Sequence, residues 1–149
     1  MRVALIGHGA MGQLVEAGAR KAGDAIGVVL TSKDDLPVDH LIEKLRGHDV
    51  AIDFSTGEAV LKHVEACARA RVALVEGTTG WKQHEPTAKQ LMTEHSGAMV
   101  YGANFSIGVN LFYRIAQQAA ALFSAVEATR RSLKKLITVA NATRPQARP

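Results

Sequence analysis

Short apolar runs alternate with amphipathic stretches along most of this chain. The apolar runs predict buried β-strands at Arg2–Ile6, Ile26–Leu30, Val50–Asp53, Val72–Val75 and Met99–Tyr101. Apolar residues at helical spacing predict helices at Gln13–Ala22, Val38–Leu45, Glu58–Ala70, Pro86–His95 and Ile107–Phe123. Repeated strand–helix units favour the α/β class, with a doubly wound parallel sheet that carries helices on both faces.

The first strand leads directly into a glycine-rich turn with the spacing Gly-x-Gly-x-x-Gly. The turn comprises Gly7, His8, Gly9, Ala10, Met11 and Gly12. A strand, this turn and a following helix place a pyrophosphate at the helix N-terminus. Gly7 permits the tight turn, Gly9 lets the backbone approach the phosphates, and Gly12 lets the helix lie close to the strand. We therefore predict that the turn binds a dinucleotide, and that the His8 side chain points at solvent.

The loop after the second strand bears on the choice between NADPH and NADH. Thr31, Ser32 and Lys33 stand there, followed by Asp34. Hydroxyl groups and a lysine suit a 2′-phosphate, which favours NADPH, whereas an acid bonds the ribose hydroxyls of NADH. In the alternative interpretation Lys33 is a solvated turn residue and Asp34 serves NADH. The sequence therefore leaves the cofactor as NADPH or NADH.

Two further loops follow the third and fourth strands, at the sheet edge where parallel sheets bind their ligands. Gly77, Thr78 and Thr79 suit close approach to the nicotinamide half of a cofactor, although a plain turn is the alternative. Asp53, at the end of the third strand, could cap the following turn or lie near the cofactor. These two roles of Asp53 stay open.

Charge and composition narrow the class of protein. The 149 residues suit one domain, and the formal net charge of +4 arises from six basic residues after Glu127, where no acid occurs. The preceding part is net negative and has no basic stripe, so we predict no nucleic-acid partner. No apolar run reaches the roughly 20 residues of a membrane span. Met1 leads straight into the first strand, so we also predict no signal peptide.

The remaining polar residues indicate neither a metal site nor a catalytic group. The histidines have neither the pair spacing nor the cysteine partners of metal ligands, so we predict no metal. We see no Ser/His/Asp arrangement and no convincing general acid, so we predict no catalytic residue in this chain. The single cysteine, Cys67, lies on an apolar helix face and is predicted to be a buried thiol, which fits a reducing cytoplasm.

Four segments in this order carry a family resemblance: Gly7–Gly12, Asp53–Ser55, Glu76–Gly80 and Gly102–Asn110. Together they resemble dihydrodipicolinate reductase (4-hydroxy-tetrahydrodipicolinate reductase), and the run Ala-Asn-Phe-Ser-Ile-Gly-Val-Asn is the most specific piece. The resemblance covers residues 1–127. Its one departure is a glycine loop one residue shorter than in many members, which still suits a dinucleotide.

The resemblance implies a cytoplasmic enzyme of lysine and diaminopimelate biosynthesis. Such an enzyme transfers a hydride from NAD(P)H, bound by a Rossmann-type domain, to a small-molecule substrate, and it is a homotetramer. The resemblance also implies further residues that line the cofactor besides the glycine turn: Gly77, Thr78, Thr79, Gly102, Ala103, Asn104 and Phe105.

The family's substrate domain has no counterpart in residues 128–149. That domain carries His-His-x-x-Lys and then Asp-Ala-Pro-Ser-Gly-Thr-Ala, and neither motif occurs here. However, codons for Leu136–Pro149 read one base earlier permit His-His-Arg-Arg-Lys-Arg-Asp-Ala-Pro-Ser-Gly-Thr-Ala. We therefore predict that the reading frame slips near Ala128. Residues 128–149 would then be an out-of-frame, poorly ordered basic tail, and the substrate domain that also builds the tetramer would be missing.

Under this hypothesis the chain binds its cofactor but does not catalyse the turnover of a substrate. Three alternatives stay open. A stand-alone nucleotide-binding regulatory module would need an ordered C-terminal tail, and a basic-tailed nucleic-acid binder would show salt-dependent binding to DNA. A different Rossmann dehydrogenase would leave the run Ala103–Asn110 without an explanation.

Overall fold

The computed structural model describes residues 1–123, which fall into two units. The first unit comprises Met1–Tyr101, and the second begins at Gly102. The predicted tail, residues 128–149, lies outside the described residues. The prediction that it is out of frame and poorly ordered therefore stays a prediction.

The first unit is a five-stranded parallel sheet with helices between the strands. Its strands are β1 (Arg2–Ile6), β2 (Ala25–Leu30), β3 (Val50–Asp53), β4 (Ala73–Glu76) and β5 (Met99–Tyr101). Its α-helices are α1 (Ala10–Lys21), α2 (Val38–Leu45), α3 (Val60–Ala70) and α4 (Glu85–Glu94), with a short 3-10 turn at Lys82–His84. The spatial order is β2-β1-β3-β4-β5. The prediction of an α/β, doubly wound parallel sheet of Rossmann type is confirmed.

Every predicted strand and helix of the first unit is present, and the bounds of β2, α1, α3, β4 and α4 differ from the predicted ones by one to three residues. Three of these shifts have a local reason. Helix α1 begins at Ala10, inside the glycine turn, because Gln13 N already donates to Gly9 O at 3.0 Å. Strand β4 begins one residue late because Val72 N still donates to Cys67 O of the preceding helix, at 3.0 Å. Helix α3 begins at Val60 rather than Glu58, since the preceding residues form a turn.

The main core lies between the sheet and helices α2, α3 and α4. Ala4 and Ala51 are neighbours in the sheet, and both are fully buried in this core. Cys67 on α3 belongs to this core, and burial raises the pKa of its thiol. The prediction that Cys67 is a buried thiol is therefore confirmed.

The second unit contains one described helix, α5 (Ile107–Phe123). It has the predicted bounds. Several of its large apolar side chains are exposed: Ile107, Leu111, Phe112, Ile115, Leu122 and Phe123. Within residues 1–123, no helix combines the length and the apolar character needed to cross a membrane.

Candidate dinucleotide-binding crevice

The sheet has a topological switch point between β1 and β3. The chain leaves β1 through α1 toward β2 on one side, and it later returns to add β3 on the other side. Ligands of doubly wound sheets bind at the carboxyl ends of the strands where the order reverses in this way. Gly7 N donates to Leu30 O at 2.9 Å, and Phe54 N donates to Ile6 O at 2.8 Å. These bonds hold the three following loops side by side.

A cavity of about 560 Å³ occupies this edge of the first unit. Its lining comes from the turn after β1, the loops after β2 and β3, and the start of α3. The lining residues include Gly7, His8, Gly9, Thr31, Ser32, Asp34, Asp35, Phe54, Ser55, Thr56, Ala59, Lys62 and His63. The cavity lies where the sequence predicts the pyrophosphate and ribose of a dinucleotide.

The glycine turn shows why side chains are excluded from two of its positions. Gly7 has φ +84°, and a Cβ there would lie 2.5 Å from Phe54 O. A Cβ on Gly12 would lie 2.2 Å from Gly7 O. Gly9 is different, because a Cβ on it would meet no atom within 4 Å. The space beside Gly9 is therefore open to a ligand.

The N-terminus of α1 opens onto the same space. Gly9 is its N-cap residue, no side chain caps the helix, and no acidic residue lies in its first turn. Uncapped backbone N–H groups and the positive end of the helix dipole favour an anion. The residues present therefore fit the pyrophosphate of a dinucleotide.

The prediction that the His8 side chain points at solvent is wrong. Its Nε2 lies 2.7 Å from Glu16 Oε2 on α1, and only 29% of the side chain is exposed. Arg20 also contacts Glu16, and Arg20 and His8 together lower the pKa of that carboxyl. Sequence reasoning missed the contact because it depends on how α1 folds back beside the turn.

The loop after β2 uses Asp34 to hold its own shape. Asp34 Oδ2 accepts hydrogen bonds from Thr31 N at 2.8 Å and from Thr31 Oγ1 at 2.9 Å. These bonds lower the pKa of Asp34. Lys33 N donates to Thr31 Oγ1 at 3.3 Å, and Lys33 does not line the described cavity. A role for Lys33 in cofactor binding stays a prediction.

A buried polar cluster lies at the ends of β3 and β4, next to the cavity. Asp53 Oδ1 accepts from Ser55 N at 2.8 Å, so Asp53 caps the turn that follows β3. Its Oδ2 lies 2.6 Å from Nδ1 of His63, and His63 lines the cavity. The structure thus shows the capping role of Asp53 directly and links Asp53 to the crevice through His63. Sequence reasoning missed His63 because only the folding of α3 over β3 brings the pair together.

Glu76 is the second acid of this cluster and pairs in register with Asp53. It is fully buried, and its Oε1 accepts from Thr78 N at 2.7 Å. Its Oε2 has no hydrogen-bond partner within residues 1–123. Burial, together with the charge of Asp53, raises the pKa of Glu76 to about 8. Glu76 is therefore mainly protonated at neutral pH.

Comparison with known proteins assigns the chain to a family. The family model described as "Dihydrodipicolinate reductase, N-terminus" matches residues 1–105. The chain belongs to the dihydrodipicolinate reductase family. The match runs from the first strand to Phe105, so it includes every residue predicted to bind the cofactor. With the fold, it supports a pyridine nucleotide as the cofactor class.

Curated relatives in the dihydrodipicolinate reductase family are longer than this chain. It is 34% identical over 127 residues to the 4-hydroxy-tetrahydrodipicolinate reductase of Christiangramia forsetii, a match that covers 85% of the chain and 52% of the relative. It is 39% identical over 107 residues to that of Anaeromyxobacter dehalogenans strain 2CP-1, covering 70% of the chain and 36% of the relative. The chain thus spans about half of these relatives or less.

A solved structure of the same family shares the fold. It is the dipicolinate-bound dihydrodipicolinate reductase from Paenisporosarcina sp. TG-14, with a TM-score of 0.70 and 22% identity. The match covers 100% of this chain and 69% of the other. At this identity the likeness shows the fold alone.

The other predicted residues of the family motifs lie in two segments, Gly77–Thr79 in the first unit and Gly102–Phe105 in the second. Gly77, Thr78 and Thr79 follow β4, and a Cβ on Gly77 would lie 2.2 Å from the Phe54 ring. Thr78 Oγ1 contacts Ser55 N at 3.1 Å, so this side chain is engaged inside the unit, while Thr79 is exposed. None of the three lines the described cavity. Their approach to the nicotinamide half stays a prediction.

Gly102, Ala103, Asn104 and Phe105 begin the second unit. Asn104 Oδ1 accepts from Ser106 N at 2.8 Å, and Asn110 Nδ2 donates to Asn104 O at 3.1 Å. These bonds shape the entry into α5, which explains the two asparagines of the motif locally. Whether these four residues bind the cofactor stays a prediction.

Within residues 1–123, no group of three His, Cys, Asp or Glu side chains is arranged to hold a metal ion.

Proposed function

We propose that this chain is the NAD(P)H-binding part of a 4-hydroxy-tetrahydrodipicolinate reductase of lysine and diaminopimelate biosynthesis. The observation that carries the proposal is the open space beside Gly9, faced by the uncapped N-terminus of α1 at the switch point of the sheet. The family match over residues 1–105 supports it. A bound pyridine nucleotide supplies the hydride for the reaction.

In this proposal each of four segments binds its own part of the cofactor. Gly7–Gly12 and the first turn of α1 bind the pyrophosphate through backbone N–H groups. Thr31–Asp35, with Lys33, bind the adenosine ribose, and Gly77–Thr79 and Gly102–Phe105 bind the nicotinamide half. The roles of the first three segments rest on their position along one sheet edge of the first unit, and the role of Gly102–Phe105 rests on the family motif.

We also propose that this chain binds its cofactor without turnover. The family's substrate-domain motifs are absent from residues 128–149, and the displaced codons of Leu136–Pro149 permit them. In this proposal residues 128–149 supply neither the family's catalytic groups nor its tetramer-forming domain. We propose a cytoplasmic location, as the resemblance to the family implies. Sequencing the coding DNA tests the frame: the proposal fails if no one-base change near codon 128 restores the motifs.

A matched pair of glycine variants tests cofactor binding. A Cβ at either Gly9 or Gly18 would meet no atom within 4 Å, so both positions have room for a side chain to begin. We expect Gly9→Leu to abolish the fluorescence change on titration with NADPH and NADH, because its side chain fills the space proposed for the pyrophosphate. Gly18→Leu, further along α1, should bind like the unmodified chain. A folded, unmodified chain that binds neither nucleotide would overturn the proposed function.

A stand-alone regulatory module is the second candidate. In that case the chain would bind the nucleotide, and limited proteolysis would show protection beyond Glu127.

A further inference from the structure

Helix α3 contributes a cation to the crevice that no sequence motif indicated. Lys62 lines the cavity, and its Nζ lies 2.5 Å from Asp35 Oδ1 in the loop after β2. The lysine therefore joins α3 to the loop proposed to bind the adenosine ribose. Among the described residues that line this cavity, Lys62 is the one Lys or Arg.

The other charged groups near the ribose loop are already engaged or lie elsewhere. The Asp34 carboxylate accepts two hydrogen bonds from Thr31 and so holds the loop. Lys33 does not line the cavity, and neither does Lys44 on α2, although the Lys44 charge helps to lower the pKa of Asp34. His63 is bound to Asp53, which is fully buried. Lys62 is thus the cation best placed to meet an anion that enters at the ribose.

The exposure of the Lys62–Asp35 ion pair lets an anionic ligand compete with Asp35 for the lysine. The Lys62 side chain is 30% exposed, whereas that of Asp35 is 89% exposed. Ion pairs with such an exposed partner contribute little to stability. A phosphate carries more charge than one carboxylate and accepts several charge-assisted hydrogen bonds. It can therefore displace Asp35 readily.

We propose that Lys62 binds the 2′-phosphate of NADPH and that Asp35 is the partner it leaves when the nucleotide enters. This inference rests on the proposed function, since it assigns a residue to the 2′ position of the same crevice. It reassigns to α3 the phosphate contact that sequence reasoning gave to Lys33. The pair would set the preference of the chain for NADPH over NADH.

Two nucleotides that differ only in the 2′-phosphate test the assignment. Adenosine 2′,5′-bisphosphate and adenosine 5′-monophosphate would be titrated calorimetrically into the 149-residue chain, alongside NADPH and NADH. We expect the bisphosphate to bind at least about tenfold more tightly. Lys62→Met should reduce this ratio to within about twofold, because it keeps the aliphatic stem and removes the charge. Asp35→Asn should raise the ratio, because it releases the lysine.

Lys21→Met is the matched control, since Lys21 lies at the far end of α1 from the glycine turn. It should leave the ratio unchanged. If NADPH and NADH bind and Lys62→Met leaves the ratio unchanged, or if Lys33→Met produces the loss instead, the assignment to Lys62 is wrong while the proposed function stands. If the folded chain binds none of the four nucleotides, the proposed function itself fails and the assignment fails with it.

Discussion

The buried carboxyl of Glu76 should make the stability of the first unit fall as the pH rises. Burial and the charge of Asp53 raise the pKa of Glu76 to about 8, whereas an unperturbed carboxyl of this type titrates at 4.5. Between these pH values the folded chain retains a proton that the unfolded chain has lost. The unfolded state is therefore favoured increasingly as the pH rises through this range.

Replacing Glu76 with glutamine should remove this dependence. The amide oxygen can keep the hydrogen bond that Oε1 accepts from Thr78 N at 2.7 Å. Each pH unit between the folded and unfolded pKa corresponds to about 1.4 kcal/mol. Glu76→Gln should therefore be more stable than the unmodified chain by on the order of 4 kcal/mol at pH 8, and by close to zero near pH 4.

Urea unfolding followed by circular dichroism would measure both chains between pH 4 and pH 8. Glu43→Gln, at an exposed position on α2, is the matched control and should show no such change with pH. A stability difference between Glu76→Gln and the unmodified chain that stays constant across this range would refute the reasoning. It would mean that Glu76 is ionised inside the fold.

Two further predictions concern packing. Gly12→Ala should lower the free energy of unfolding by about 1–3 kcal/mol, because the new Cβ would lie 2.2 Å from Gly7 O. Gly18→Ala, at an open position, should raise it by up to about 1 kcal/mol. Equal effects of the two variants in thermal denaturation would contradict the close contact at Gly12. Cys67 should react with a thiol reagent on the order of a hundredfold more slowly in the folded chain than in urea, because it is fully buried and the pKa of its thiol is raised. Rapid labelling of Cys67 in the folded chain would contradict its burial.

Local patterns were enough to predict the order and type of the elements. Strand β1 and the glycine turn follow from a short apolar run that ends in three glycines, and the geometry at Gly7 and Gly12 agrees with the steric reasons given for them. The element boundaries were less predictable. The start of α1 depends on where the first backbone hydrogen bond closes, and no residue type marks that point.

Side-chain partners were the part that local patterns could not predict. Lys62 and Asp35 are 27 residues apart, and His63 and Asp53 are 10 residues apart. Neither pair has a spacing that indicates a contact, because the distance along the chain does not report the distance across a crevice. His8 was misplaced for a related reason, since its partner Glu16 lies two turns along α1.

The amino-acid sequence by itself determined the α/β class, the parallel order of strands and helices, the glycine turn and the family motifs, because each depends on residues close together in the chain. The tertiary structure alone decided which charges meet at the crevice and which carboxyl loses contact with water. Pairing β3 with β4 buries Asp53 beside Glu76, and packing α3 on the sheet brings Lys62 to Asp35. The burial of these carboxyl groups and the contacts between these charged side chains arise only when distant segments of the chain pack together. They determine which charged groups face a ligand in the crevice.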